Sequence, residues 1–118
     1  MEIKIRYATI IVKDMAESIK FYSELMGFEI DCQFMPKPGI EITLMKGQGE
    51  TMVELIKDAI HDAGFYSIGL DVDDLDGALY QFKLSGAQVL MEPVPITVGK
   101  LAFIEDPNGV RIALIQHQ

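Results

Sequence analysis

Glu54 is the residue of this chain best placed to do chemistry. It lies in Met52-Val53-Glu54-Leu55-Ile56, where strand periodicity puts Val53 and Leu55 on one face and Met52, Glu54 and Ile56 on the other. Partial burial on the inward face of a sheet would raise its pKa and make it a candidate general base. Tyr7 and Ser67 have the same inward parity on two other strands. Their hydroxyls could hydrogen-bond Glu54 and orient a substrate, which makes Tyr7 the second candidate catalytic residue. A second reading stands beside this one: Glu54 is satisfied by those hydroxyls or by Arg111 and does no catalysis.

Arg111 shares the parity of Ala113 and is placed either to pair with an anionic ligand group or to snorkel to water from a sheet edge. Asp71 is a cavity acid by alternation, or else a solvated charge. Met52 and Phe103 belong to a soft apolar set on the middle strands, with Phe34, Met35 and Met45, that suits an adaptable pocket. The expected ligand-binding residues are therefore Tyr7, Ser67, Arg111, Ala113, Met52 and Phe103. His61 falls in a polar linker and His117 next to last in the chain, so both read as solvated. No P-loop, dinucleotide fingerprint or nucleophile-plus-base arrangement is present.

The elements that must position these residues occur twice. Ala8 to Met15 lies over Ile68 to Leu75 at an offset of 60, an apolar alternation running into Asp14 and Asp74; Met52 to Ile56 lies over Arg111 to Ile115 at an offset of 59. The span from Asp14 to Gly27 is one residue longer than that from Asp74 to Gly86. In the first half, Lys4 to Val12 reads as a strand and Asp14 as an N-cap with Glu17 as its capping-box partner. The helix carries Met15, Ile19, Tyr22, Leu25 and Met26 inward and ends at Gly27. Strands come next at Phe28 to Met35, Ile40 to Met45 and Thr51 to Ile56, with Pro36 and Pro38 breaking the first of them.

The second half repeats the order. Tyr66 to Val72 is a strand and Asp74 to Ser85 a helix with Leu75, Ala78, Leu79 and Phe82 inward. Strands at Ala87 to Glu92, Lys100 to Ile104 and Val110 to Gln116 complete it, the last two joined by the turn Asp106-Pro107-Asn108-Gly109. The expectation is one domain over residues 1–118, made of modules at 1–60 and 65–118 that share a core. In each, Ala8, Ile10, Val12, Val53 and Leu55, or Ile68, Leu70, Val72, Ile112 and Leu114, pack under the helix. The opposite parity, Tyr7, Thr9 and Ile11 or Ser67, Gly69 and Asp71, faces the concave side.

Composition narrows the function classes. The 118 residues carry a formal charge of −8, which repels phosphate backbones and argues against nucleic acid as a partner. The same field favours a cationic ligand, or serves solubility alone. One cysteine, Cys32, supplies neither an internal disulfide nor a zinc motif. The sequence offers no apolar run of membrane-crossing length and no recognisable leader, so a cytoplasmic protein without membrane partners is expected.

Taken in order, Val12-Lys13-Asp14-Met15, Ser18-Ile19-Lys20-Phe21-Tyr22, Leu25-Met26-Gly27-Phe28, Gly69 to Leu75 and Phe103 to Gly109 resemble the glyoxalase / bleomycin-resistance / extradiol-dioxygenase superfamily, the vicinal oxygen chelate fold. The resemblance covers essentially the whole chain. It implies an α+β fold of two βαβββ modules forming an incomplete eight-stranded, barrel-like cavity, usually completed in a homodimer. Metal-dependent members hold a divalent ion with two histidines and two glutamates at symmetric positions, which fall here on Tyr7, Glu54, Ser67 and Ala113. Only Glu54 keeps a ligand side chain, whereas a catalytic divalent metal generally takes about three such protein ligands. The reading is of a protein that binds a small organic molecule without a metal or other cofactor. The alternative is a metal-dependent or Glu54-based lyase or isomerase of the glyoxalase or epimerase type.

Overall fold

Both halves of the chain adopt the strand, helix, three-strand order that the sequence repeats, in a computed structural model that describes residues 2–118. The elements are β1 (Ile3–Ile11), α1 (Met15–Lys20), β2 (Glu29–Lys37), β3 (Ile40–Lys46), β4 (Met52–Lys57), β5 (Gly64–Val72), α2 (Leu75–Leu84), β6 (Gln88–Ile96), β7 (Gly99–Glu105) and β8 (Arg111–His117). The class is α+β. The chain divides into two compact units, one from Tyr7 to Tyr66, the other from Ser67 to Gln118 with the N-terminal residues through Arg6.

In the first unit the strand order is β2-β3-β4-β1, with β1 parallel to β4 and the other pairs antiparallel. Parity decides which side chains meet the helix. Val12, Met15, Met45 and Leu55 are buried together, and Ile10, Ile19, Tyr22, Phe28 and Val53 pack around them. The second unit runs β5-β8-β7-β6 with the same pattern of pairings. Its core is Val72, Leu75, Leu79, Ala102 and Leu114, flanked by Leu70, Phe82, Ile104 and Ile112. Both cores use the expected faces. The caps agree as well: Asp14 accepts from the Glu17 backbone N–H at 3.0 Å and Asp74 from that of Gly77 at 3.1 Å.

The extra residue between Asp14 and Gly27 has a structural counterpart. After Lys20 the first helix loosens into a single π turn, Phe21–Leu25, whereas α2 stays α-helical to Leu84. A π turn is how a helix absorbs one inserted residue without losing register at its two ends. Leu25 and Met26 face outward, 72% and 51% exposed, contrary to the inward placement expected from α-helical spacing; Leu84, two residues before Gly86 as Leu25 is before Gly27, is exposed as well.

Prolines mark a second departure. β2 continues through Pro36 to Lys37, and β6 continues through Pro93 and Pro95 to Ile96. Each is the outermost strand of its unit and pairs on one side with irregular register. On such an edge a missing N–H costs no ladder hydrogen bond, so proline does not end the strand. The β7–β8 hairpin closes as expected on Asp106, whose Oδ1 accepts from the backbone N–H of Asn108 and of Val110, both at 2.8 Å, with Gly109 at φ 81°.

Candidate functional site

Strand register in the first unit sorts the concave face into three rungs. The middle rung runs Cys32, Leu44, Glu54, Thr9 across β2, β3, β4 and β1. On one side of it lie Lys46, Met52 and Tyr7; on the other lie Phe34, Ile42, Ile56 and Ile11. Glu54 thus sits at the centre of a mostly apolar surface, directly opposite Thr9.

Thr9 Oγ1 donates a hydrogen bond to Glu54 Oε1 at 2.6 Å, and Thr9 is only 3% exposed. Two effects act on the carboxyl. Burial raises its pKa above the ordinary carboxylate range, and the Thr9 hydrogen bond, which favours the charged form, pulls it part of the way back. No ion pair among the described residues reaches Glu54. Cys32 is exposed, and its thiol is pushed up by local desolvation first and then by the charges of Asp31 and Glu54. That disfavours the thiolate and so a nucleophilic role.

Of the residues singled out from sequence, Tyr7, Met52 and Glu54 share this face, and Tyr7 and Met52 are both buried. Ser67, Arg111, Ala113 and Phe103 belong to the second unit, where Phe103 stands opposite Ala113 and Gly69 pairs with Ala113 from the other side. Ser67 and Ala113 are buried. Gly69 and Ala113 are the repeat partners of Thr9 and Glu54, so the hydroxyl and the carboxyl are replaced together by groups with no chemistry. Thr9 is the partner of Glu54 that sequence reasoning leaves unused. Its inward parity is legible, but its place opposite Glu54 depends on the β1–β4 register, which parity does not give.

His61 falls where the sequence puts it, His117 only in part. His61 stays in the loop after β4, where Asp58 accepts from its backbone N–H at 2.9 Å and meets its Nδ1 at 2.7 Å. The His61 bonds, the backbone one foremost, hold the Asp58 carboxyl below its usual range. His117 is exposed, as expected, but it belongs to a strand rather than a tail. It ends β8 opposite Gly99, and its Nδ1 lies 2.5 Å from Asp71 Oδ1, off the axis of a hydrogen bond. Asp71 also meets Arg6 at 3.9 Å, so this acid is partnered within its own unit. A shallow cavity of about 220 Å³ opens beside it, lined by Glu2, Lys4, Asp71, Val72, Asp73 and His117.

The donor set does not fit a resident divalent metal. Among the described residues no three His, Cys, Asp or Glu side chains come together in a way that could hold an ion. Of the four positions the resemblance points to, Ala113 has no donor atom, Tyr7 and Ser67 offer neutral hydroxyls, and one oxygen of Glu54 already accepts from Thr9.

Comparison with known proteins places the chain. The family model described as Glyoxalase/Bleomycin resistance protein/Dioxygenase superfamily matches residues 4–114. A probable lactoylglutathione lyase of Synechocystis sp. is 30% identical, over 89% of this chain and 88% of that protein. A probable lactoylglutathione lyase of Vibrio parahaemolyticus is 32% identical, over 98% and 91%. Among solved structures, methylmalonyl-CoA epimerase from Mycobacterium tuberculosis superposes with a TM-score of 0.83 at 19% identity, over 97% of this chain and 87% of that one. A hypothetical protein from Bacillus halodurans gives 0.87 at 20% identity, over 100% and 96%. With a duplicated βαβββ fold and a family match across nearly its whole length, this chain belongs to the Glyoxalase/Bleomycin resistance protein/Dioxygenase superfamily.

Proposed function

We propose that this protein binds a small organic molecule on the concave face around Glu54 and does so without a catalytic metal. The observation that carries the reading is the Thr9–Glu54 pair: a partly buried carboxyl, held by a hydroxyl and surrounded by Tyr7, Leu44, Met52 and Ile56, where a divalent metal would need coordinating partners that the described residues do not bring together. Such a surface offers apolar contact with one orienting polar group, the usual make-up of a small-molecule site. Tyr7 and Met52 complete it in the first unit; Ser67, Arg111, Ala113 and Phe103 are the corresponding candidates in the second. The protein acts in the cytoplasm as a homodimer, which sedimentation of the purified chain tests.

The second reading is a Glu54-based lyase or isomerase. It is favoured by the relatives named lactoylglutathione lyase and by the raised pKa of Glu54, which suits a general base. Thr9 would orient the carboxyl and the proton would pass to Glu54. One experiment separates the two. Chelator-treated protein is screened by NMR against a fragment library, and hits are tested for turnover. Saturable shifts on β1, β3 and β4 without turnover support binding. Turnover abolished in Glu54→Gln supports the enzyme, and binding that returns only on adding a divalent metal contradicts the metal-free site.

A further inference from the structure

The geometry points to a chemical class of ligand: a small amphiphilic amine, with its ammonium group on Glu54 and its apolar body lying along β3 and β2. The inference rests on the binding reading above and adds what the occupant must carry.

Charge supplies the first argument. Glu54 stands at the centre of its face with no cation paired to it among the described residues. Lys46, one rung away opposite Met52, is 3.7 Å from Asp31 instead. Thr9 occupies Oε1, which leaves Oε2 for a ligand. A carboxylate that is penalised by burial and lacks a counter-ion gains most from a cation brought to it, because the desolvation cost is already met in the free protein. A hydroxyl gains less there, and a carboxylate ligand is repelled. The net charge of −8 acts in the same direction by drawing cations toward the molecule.

Apolar complementarity supplies the second. Away from Glu54 the middle rung continues to Leu44, and the next rung is Phe34, Ile42, Ile56 and Ile11, without a charge. Leu44 and Ile11 are buried, so contact with a ligand falls to the partly exposed Ile42 and Ile56 and to Phe34, which is 42% exposed on the outermost strand. One charge beside an unbroken apolar strip matches a single ammonium at the end of an alkyl or aryl body, and excludes a polycation whose further charges would lie on Ile42 and Phe34.

The test uses three probes of one shape, hexylammonium, 1-hexanol and hexanoate, titrated at mildly alkaline pH into wild type, Glu54→Gln and Glu24→Gln, followed by backbone NMR. Glu54→Gln keeps the side-chain shape and can still accept from Thr9; Glu24→Gln removes the same unit of charge from an exposed position after α1 in the same unit. The expected result is saturable shifts on β1, β3 and β4 with hexylammonium, at least about tenfold weaker for Glu54→Gln and unchanged for Glu24→Gln. Tighter binding of 1-hexanol than of hexylammonium, or equal losses in the two variants, overturns the amine while leaving a binding face intact. If none of the three probes shifts these strands, both the amine and the binding reading fall.

Discussion

Thr9 and Glu54 face each other across the parallel β1–β4 pair, 45 residues apart in sequence and joined by a 2.6 Å hydrogen bond between their side chains. The bond fixes one oxygen of a partly buried carboxyl. It also opposes the rise in pKa that burial causes, so the two residues together set the charge of the face.

Replacing Thr9 by valine removes the side-chain hydrogen bond that favours the ionised form. The Glu54 carboxyl should then titrate at higher pH than in wild type, while Thr9→Ser restores it, as read from the carboxyl carbon resonance. At neutral pH the valine variant should also lose about 2 kcal/mol of stability, the usual scale for a buried hydrogen bond to a charged group.

Glu54 gives stability a definite pH dependence. Its folded pKa lies above its unfolded value, so its contribution is fully present below the unfolded carboxyl pKa. Between the two values the unfolded chain ionises first, and stability is lost until pH passes the folded pKa. Urea midpoints measured across this range should fall with rising pH in wild type, and that component should vanish in Glu54→Gln.

Gly99 admits no side chain. A Cβ there would overlap the backbone oxygen of Gln116, and its φ is 151°. Gly99→Ala should therefore cost about 3 kcal/mol by denaturant unfolding, the range for strain against a fixed backbone.

Burial makes a contrast between two leucines of the first unit. Leu55 is fully buried under the first helix, so Leu55→Ala should cost roughly 2–5 kcal/mol. Leu25, 72% exposed at the end of that helix, should change stability by no more than about 0.5 kcal/mol when replaced by alanine. Thermal unfolding of the two variants checks both values.

Much of this architecture is legible in the residues, and the gaps have physical causes. The offset repeat gives the element order, and period-two alternation gives both core faces, because one face of each sheet must meet its helix. What alternation cannot give is how strands slide past one another. Parity alone therefore offers Tyr7 as a partner for Glu54 as readily as Thr9, and only the register selects Thr9. Edge geometry explains why the outer strands run through Pro36, Pro93 and Pro95. His117 is exposed, as a position next to last in the sequence suggests, yet pairing with β7 carries the last strand far enough to set it beside Asp71.

Elemental analysis of freshly purified protein, unexposed to chelator, bears most directly on the metal-free site. Nickel, zinc, iron and manganese should each be far below one equivalent, and Glu54→Gln should not change their content. One equivalent of any of them, lost in Glu54→Gln, would contradict the account.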